Sequence, residues 1–133
     1  MNKKILVVDD EEIIRENLHR ILTEETYDVS TVASGREGLD FIANNDIDIV
    51  LLDLNLPGTD GREVLRTIKQ DENLKKIPVI VLTTSTNEKD IEGCYAAGAS
   101  SYLSKPVDLG GFMASIQRLT DYWFEIVILP RGE

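Results

Sequence analysis

Ile47-Asp48-Ile49-Val50-Leu51-Leu52-Asp53 is the stretch on which the fold turns. It is a near-continuous apolar run, of the kind found in a central strand buried on both faces, and it ends in an acid. The N-terminal run Ile5-Leu6-Val7-Val8 ends the same way, in Asp9-Asp10. If both runs are parallel strands, three carboxylates meet at the C-terminal edge of one sheet, where open α/β sheets place their ligand sites. Like charges that close repel and shift each other's proton affinity, so the arrangement is costly without a cation or a proton. The three acids outline a small divalent-cation site that contains a candidate nucleophile.

Outward from this run, strand-like and helical patterns alternate. Lys4 to Val8 is a short strand, and Glu11 to Thr23 carries Ile13, Ile14, Leu18, Ile21 and Leu22 at helical spacing. Tyr27 to Val32 is a second strand. Ser34-Gly35-Arg36-Glu37 reads as an N-cap with an acid three residues on, opening a helix with Leu39, Phe41 and Ile42 inward. Gly61 to Lys69 is helical, with Val64, Leu65 and Ile68 on one face, and Pro78 to Thr83 is the fourth strand. Glu88 to Ala97 is a helix stopped by Gly98 as its C′ glycine. Ser101 to Ser104 is a fifth strand. From Leu109 a last helix spaces Phe112, Ile116, Leu119 and Trp123 for one face. This alternation predicts an α/β fold, a doubly wound parallel sheet with helices on both faces. No repeat or linker interrupts the chain, and 133 residues make one domain.

Bulk properties exclude several classes. A net charge of -10 opposes nucleic acid and anionic membranes as partners. No stretch approaches the ~20 apolar residues of a membrane span. The N-terminal apolar run is shorter than the roughly 7 to 15 residues of a signal-peptide core, so a cytoplasmic location is expected. Cys94 is the single cysteine and allows no internal disulfide; it reads as a small packed residue. His19 falls on the first helix, away from the acids, and Glu11, Glu12, Glu24 and Glu25 read as a solvated face. Asp9 and Asp10 also suit a helix start, and an acid can both cap and ligate.

Polar residues recur at the predicted strand ends: Asp9-Asp10, Asp53, Thr83 and Lys105. Each type has a part in phosphoryl transfer. A carboxylate that takes a phosphoryl group becomes an acyl phosphate. Mg²⁺ favours hard oxygen ligands and keeps several waters, so two carboxylates and a backbone carbonyl suffice. A lysine offers a compact charge to a phosphoryl oxygen, and a threonine hydroxyl bonds another. Catalysis of this kind is mostly positioning and charge neutralisation.

At these residues the chain resembles a known family. Ile-Leu-Val-Val-Asp9-Asp10-Glu, Leu-Leu-Asp53-Leu-Asn-Leu-Pro57-Gly58-Thr-Asp-Gly61, Val-Leu-Thr83 and Tyr102-Leu-Ser-Lys105-Pro106 look like the receiver domain of two-component response regulators, in order, over residues 3 to about 122. The resemblance implies a (βα)5 flavodoxin-like fold with five strands in the order 2-1-3-4-5 and five helices. It implies that Asp53 accepts a phosphoryl group from a sensor histidine kinase, with Mg²⁺ or Mn²⁺ as cofactor. Asp10 and Asp53 then ligate the metal, with the Asn55 backbone carbonyl, and Asp9 acts through water. Lys105 binds the phosphoryl group, with a Lys105-Pro106 bond that is usually cis in the family. Thr83 and Tyr102 form the switch pair, which reshapes the face of the fourth helix, fifth strand and fifth helix. The chain is then a phosphoacceptor, not an enzyme in the ordinary sense, though it assists its own phosphotransfer and dephosphorylation. One departure is Thr59, where many members have Met; altered packing of the loop after Asp53 is expected from it.

The C-terminal extension at 122–130 departs from an ordinary last helix. Tyr122, Trp123, Phe124, Ile126, Val127, Ile128 and Leu129 are too many apolar residues for one buried stripe. Such a surface predicts an interface, read here as an isologous homodimer contact. The alternative is a tail folded over its own core. With no effector domain following, residues 1–133 read as a stand-alone receiver. The tail, with Asp-Gly-Arg-Glu-Val-Leu and Ile-Pro-Val-Ile-Val-Leu-Thr-Thr-Ser, resembles single-domain regulators that serve bacterial phytochrome kinases. Two rival functions remain: a pseudo-receiver that binds partners without being phosphorylated, and a haloacid-dehalogenase-like phosphatase. The second rival requires an acid two residues after the nucleophile, where this chain has Asn55, which moves no proton.

Overall fold

The computed structural model describes residues 3–56, 59–83, 88–99, 101–104, 114 and 118, with the backbone alone at 55, 59, 60, 83, 88–90 and 101–104. In chain order the elements are β1 (Lys4–Val8), α1 (Glu12–Glu24), β2 (Asp28–Val32), α2 (Gly35–Asn44), β3 (Ile49–Asp53), β4 (Asn55–Leu56), β5 (Thr59–Asp60), α3 (Gly61–Gln70), β6 (Val79–Thr83), α4 (Glu88–Ala96) and β7 (Ser101–Ser104). The main sheet runs β2-β1-β3-β6-β7, every pairing parallel. The predicted parallel α/β arrangement is therefore present. The helix expected from Leu109 lies outside the described residues save Ala114 and Arg118, both helical.

Alternation along the strands divides the core into two layers. Leu6, Val8, Val50, Leu52, Val79 and Val81 face α2 and α3, packing with Ile42, Val64, Leu65, Ile68 and Cys94. Ile5, Val7, Ile49, Leu51, Ile80 and Leu82 face the other way and pack with Ile14, Leu18 and Leu22 of α1 and with Tyr27. Both faces are covered, which is why the runs Ile5–Val8, Ile49–Leu52 and Val79–Leu82 in β1, β3 and β6 are apolar without interruption.

Two local readings change. Ile13 is 57% exposed, although its spacing suggested an inward position. The buried stripe of α1 runs through Ile14, Leu18 and Leu22, and Ile13 stands about 100° back from Ile14 around the helix. The segment after Asp53, expected as a loop, contains the antiparallel pair β4–β5, with Asn55 opposite Asp60 and Leu56 opposite Thr59. Pro57-Gly58 between the two strands is the turn signal that marks it in the sequence. Among the described residues no helix is long and apolar enough to cross a membrane.

Candidate functional site

The site follows from sheet register. Val8 of β1 is paired with Leu52 of β3, so the next residues, Asp9 and Asp53, emerge side by side at the C-terminal edge. Asp53 shares its parity with Ile49 and Leu51, so its side chain leaves the sheet on the α1 side. One carboxylate oxygen from each of Asp9, Asp10 and Asp53 lies within 4.8 Å of the others. Asp9 is fully buried and Asp53 is 3% exposed, whereas Asp10 reaches solvent. Two ionised carboxylates at 4.8 Å repel by roughly 3 kcal/mol at an effective dielectric near ~20. A divalent cation relieves that repulsion. The three acids offer only hard oxygens, a set suited to Mg²⁺ or Mn²⁺ and unlike the nitrogen and sulfur sets of zinc sites.

Backbone contacts fix the loops that carry these acids. The Asp9 N–H donates to the Val32 carbonyl at 3.1 Å, extending the sheet bonding one residue past β1. The Asp9 carboxylate accepts from the Glu11 N–H at 2.9 Å, so this acid helps start α1 as well as facing the site. Arg15 reaches back from α1 and donates from Nη1 to the Asp9 carbonyl at 2.9 Å. Beyond Asp53, the Leu54 N–H donates to the Leu82 carbonyl at 2.9 Å, and the Gly61 N–H donates to the Leu54 carbonyl at 3.0 Å. Gly61 opens α3 so close to this turn that a Cβ on it would stand 2.6 Å from the Asp53 carbonyl oxygen and 2.7 Å from Leu54 Cα. Only a hydrogen fits there. Arg15 and Gly61 had no assigned part in the sequence reading. Gly61 stood within the quoted motif, but Arg15 carried no signal, because nothing in helical periodicity says what a guanidinium will meet.

The other expected site residues distribute as follows. Asn55 begins β4, two residues after Asp53. Asp53 is paired with Leu82, which puts Thr83 one step further along the adjoining strand, opposite Ser104 of β7. Tyr102 is opposite Val81. The side chains of Asn55, Thr83 and Tyr102, the whole of Lys105 and Pro106, and the tail residues Tyr122, Trp123, Phe124, Ile126, Val127, Ile128 and Leu129 lie outside the described residues. His19 is exposed on α1, and Cys94 is buried in the α3-side core.

Comparison with known proteins places this geometry. A family profile described as the response regulator receiver domain matches residues 5–117. Response regulator Rcp1 of Synechocystis is 38% identical, over 96% of this chain and 93% of its own length. Its Mn²⁺-bound crystal structure superposes with a TM-score of 0.88 at 35% identity, covering 97% of this chain and 99% of that one. The phosphorylated cyanobacterial phytochrome response regulator RcpA gives a TM-score of 0.92 at 35% identity, covering 98% of this chain and 100% of that one. The receiver domain of the sensor histidine kinase PA1611 from Pseudomonas aeruginosa, with magnesium coordinated in its active-site cleft, gives 0.80 at 31% identity, over 92% and 98% of the two chains. With its acids converging at the edge of a parallel α/β sheet, and with a profile match across most of its length, this chain belongs to the response regulator receiver domain family.

Proposed function

We propose that this protein is a phosphoacceptor of two-component signalling, in which Asp53 takes a phosphoryl group from a histidine of a sensor kinase. The observation that carries the reading is the convergence of Asp9, Asp10 and Asp53 within 4.8 Å, with Asp53 buried at the end of the central strand. A carboxylate oxygen of Asp53 attacks phosphorus, the P–N bond to the donor imidazole breaks, and the imidazole leaves with the bonding pair and takes up a proton. Bound Mg²⁺ supplies charge neutralisation at the phosphoryl oxygens. Asp10, Asp53 and the Asn55 carbonyl hold it, with Asp9 acting through water. Lys105 pairs with the phosphoryl group.

In this reading Thr83 and Tyr102 turn acceptor chemistry into a change of surface across α4, β7 and the last helix, shifting the population of two conformations. Residues 1–133 form one cytoplasmic receiver whose apolar segment at 122–130 is a homodimer contact. Similarity to Rcp1 and RcpA supports a phytochrome-type kinase as the donor.

Incubation with acetyl phosphate and Mg²⁺, read by intact mass, tests the acceptor. One phosphoryl adduct is expected, absent in Asp53→Asn and absent with chelator. No adduct on the wild type favours the pseudo-receiver instead. Light scattering of the full chain against one ending at Asp121 tests the dimer, and transfer from purified phytochrome kinases tests the donor.

A further inference from the structure

We infer that Arg15 is a positioning residue for the metal acids, acting through the peptide unit that joins Asp9 to Asp10. The inference rests on the phosphoacceptor reading above. The carbonyl oxygen of Asp9 and the N–H of Asp10 belong to one planar unit, so fixing that oxygen fixes the plane from which Asp10 departs. Arg15 Nη1 donates to this oxygen at 2.9 Å. The Arg15 N–H donates to the Glu11 carbonyl at 3.1 Å, so Arg15 is tied at both ends to the connection it braces. That connection is short, because β1 ends at Val8 and α1 begins at Glu12. Asp9 is thereby held at three points: its N–H by Val32, its carboxylate by Glu11 and its carbonyl by Arg15. The first fixes the Asp9 main chain and the second its carboxylate. The third orients the exposed Asp10, which the sheet does not hold.

Charge and geometry make opposite predictions, which renders the inference testable by sign. A guanidinium close to a cation site opposes cation binding by Coulomb's law, so removing it by itself strengthens Mg²⁺ binding. If Arg15 positions the acids, removing it weakens binding, by about tenfold for the loss of an outer contact to a metal ligand. The probe is Mg²⁺ alone, titrated calorimetrically into the full chain well below its unfolding temperature. Arg15→Met is expected to bind Mg²⁺ about tenfold more weakly. Arg15→Lys, which keeps a charged donor of similar reach, is expected to recover most of that loss. Arg15→Gln, too short to reach the carbonyl, should behave as Arg15→Met and replaces it if that variant does not fold. Binding by Arg15→Met or Arg15→Gln as tight as wild type, or tighter, overturns the inference. So does a lower unfolding midpoint with unchanged Mg²⁺ affinity, the signature of a merely structural role. Wild-type protein that binds no Mg²⁺ sinks the phosphoacceptor reading, a result distinct from either outcome for Arg15.

Discussion

At the end of α1 the Tyr27 N–H donates to the Leu22 carbonyl at 3.2 Å and the Thr26 N–H to the Thr23 carbonyl at 3.0 Å; at the end of α4 the Ala99 N–H donates to Cys94 and the Gly98 N–H to Tyr95, both at 3.0 Å. These are the paired bonds of one helix-stop motif, used twice. In each the residue at C′ has positive φ, 70° at Thr26 and 106° at Gly98. In each the two positions of the motif's apolar pair are buried in one core layer, Leu22 with Tyr27 and Cys94 with Ala99. The difference lies in what surrounds the caps. α1 is anchored by Ile14, Leu18 and Leu22, and it tolerates a β-branched residue in a conformation that disfavours one. In α4 the described side chains offer Cys94 to the core and leave Tyr95 half exposed. Its stop is also crowded: a Cβ on Gly98 would stand 2.7 Å from Lys69 Cγ. Lys69 has little freedom to retreat, because its Nζ donates to the Lys75 and Ile77 carbonyls at 3.1 and 2.6 Å. A strongly anchored helix can carry a poor cap, whereas a stop crowded against a pinned side chain depends on the right residue there.

Substitutions break this contrast in order of size. Leu22→Ala removes the large half of the α1 pair and should cost about 3 kcal/mol in urea unfolding, against about 1 kcal/mol for Cys94→Ala, which deletes only the sulfur. Gly98→Ala should cost about 2 kcal/mol, from the left-handed backbone and the contact with Lys69. Adding Lys69→Ala to it should cost less than the sum of the two single changes, as a double-mutant cycle would read. At the matching position in α1 the sign reverses: Thr26→Gly should add up to about 1 kcal/mol of stability, read as a higher urea midpoint. Gly93, exposed within α4 with open space where a Cβ would go, should accept alanine with a gain of roughly 0.5–1 kcal/mol. The last effect is in pH. Burial holds the Lys69 ammonium below the ordinary lysine value of 10.5, so on alkalinisation the folded chain releases this proton before the unfolded chain does. Between the two pKa values the unfolded state binds more protons, and stability rises with pH. Lys69→Met should remove that rise.

The contrast also shows which features the sequence can carry. Gly98 was legible as a stop because glycine advertises positive φ, and Thr26 was not, because threonine advertises the opposite. Ser34 was legible as a cap: its Oγ accepts from the Glu37 N–H at 3.2 Å and donates to the Glu37 carboxylate at 3.0 Å. The central strands were legible because burial on both faces demands unbroken apolar runs. Ile13 misled because apolar spacing marks a broad stripe, and tertiary packing decides which edge of it faces solvent. In the site, Asp9, Asp10 and Asp53 could be brought together from strand ends alone. The supports around them could not, since the Arg15 contact and the approach of α3 to the Asp53 turn depend on how helices settle against the finished sheet.

The close approach at Gly61 has a consequence for how this molecule can change over generations. A side chain there has to displace the backbone that carries Asp53, so position 61 is fixed by volume although no reaction takes place at it. Asp10, exposed at the rim, is under the reverse constraint: it is free in volume and bound only by what it does. A library randomised at both positions and selected for folding alone should return glycine at 61 and a mixture at 10. Selection for cation binding should narrow the second position as well. Two positions beside the same cluster of carboxylates thus record two different histories, one written by packing and the other by chemistry.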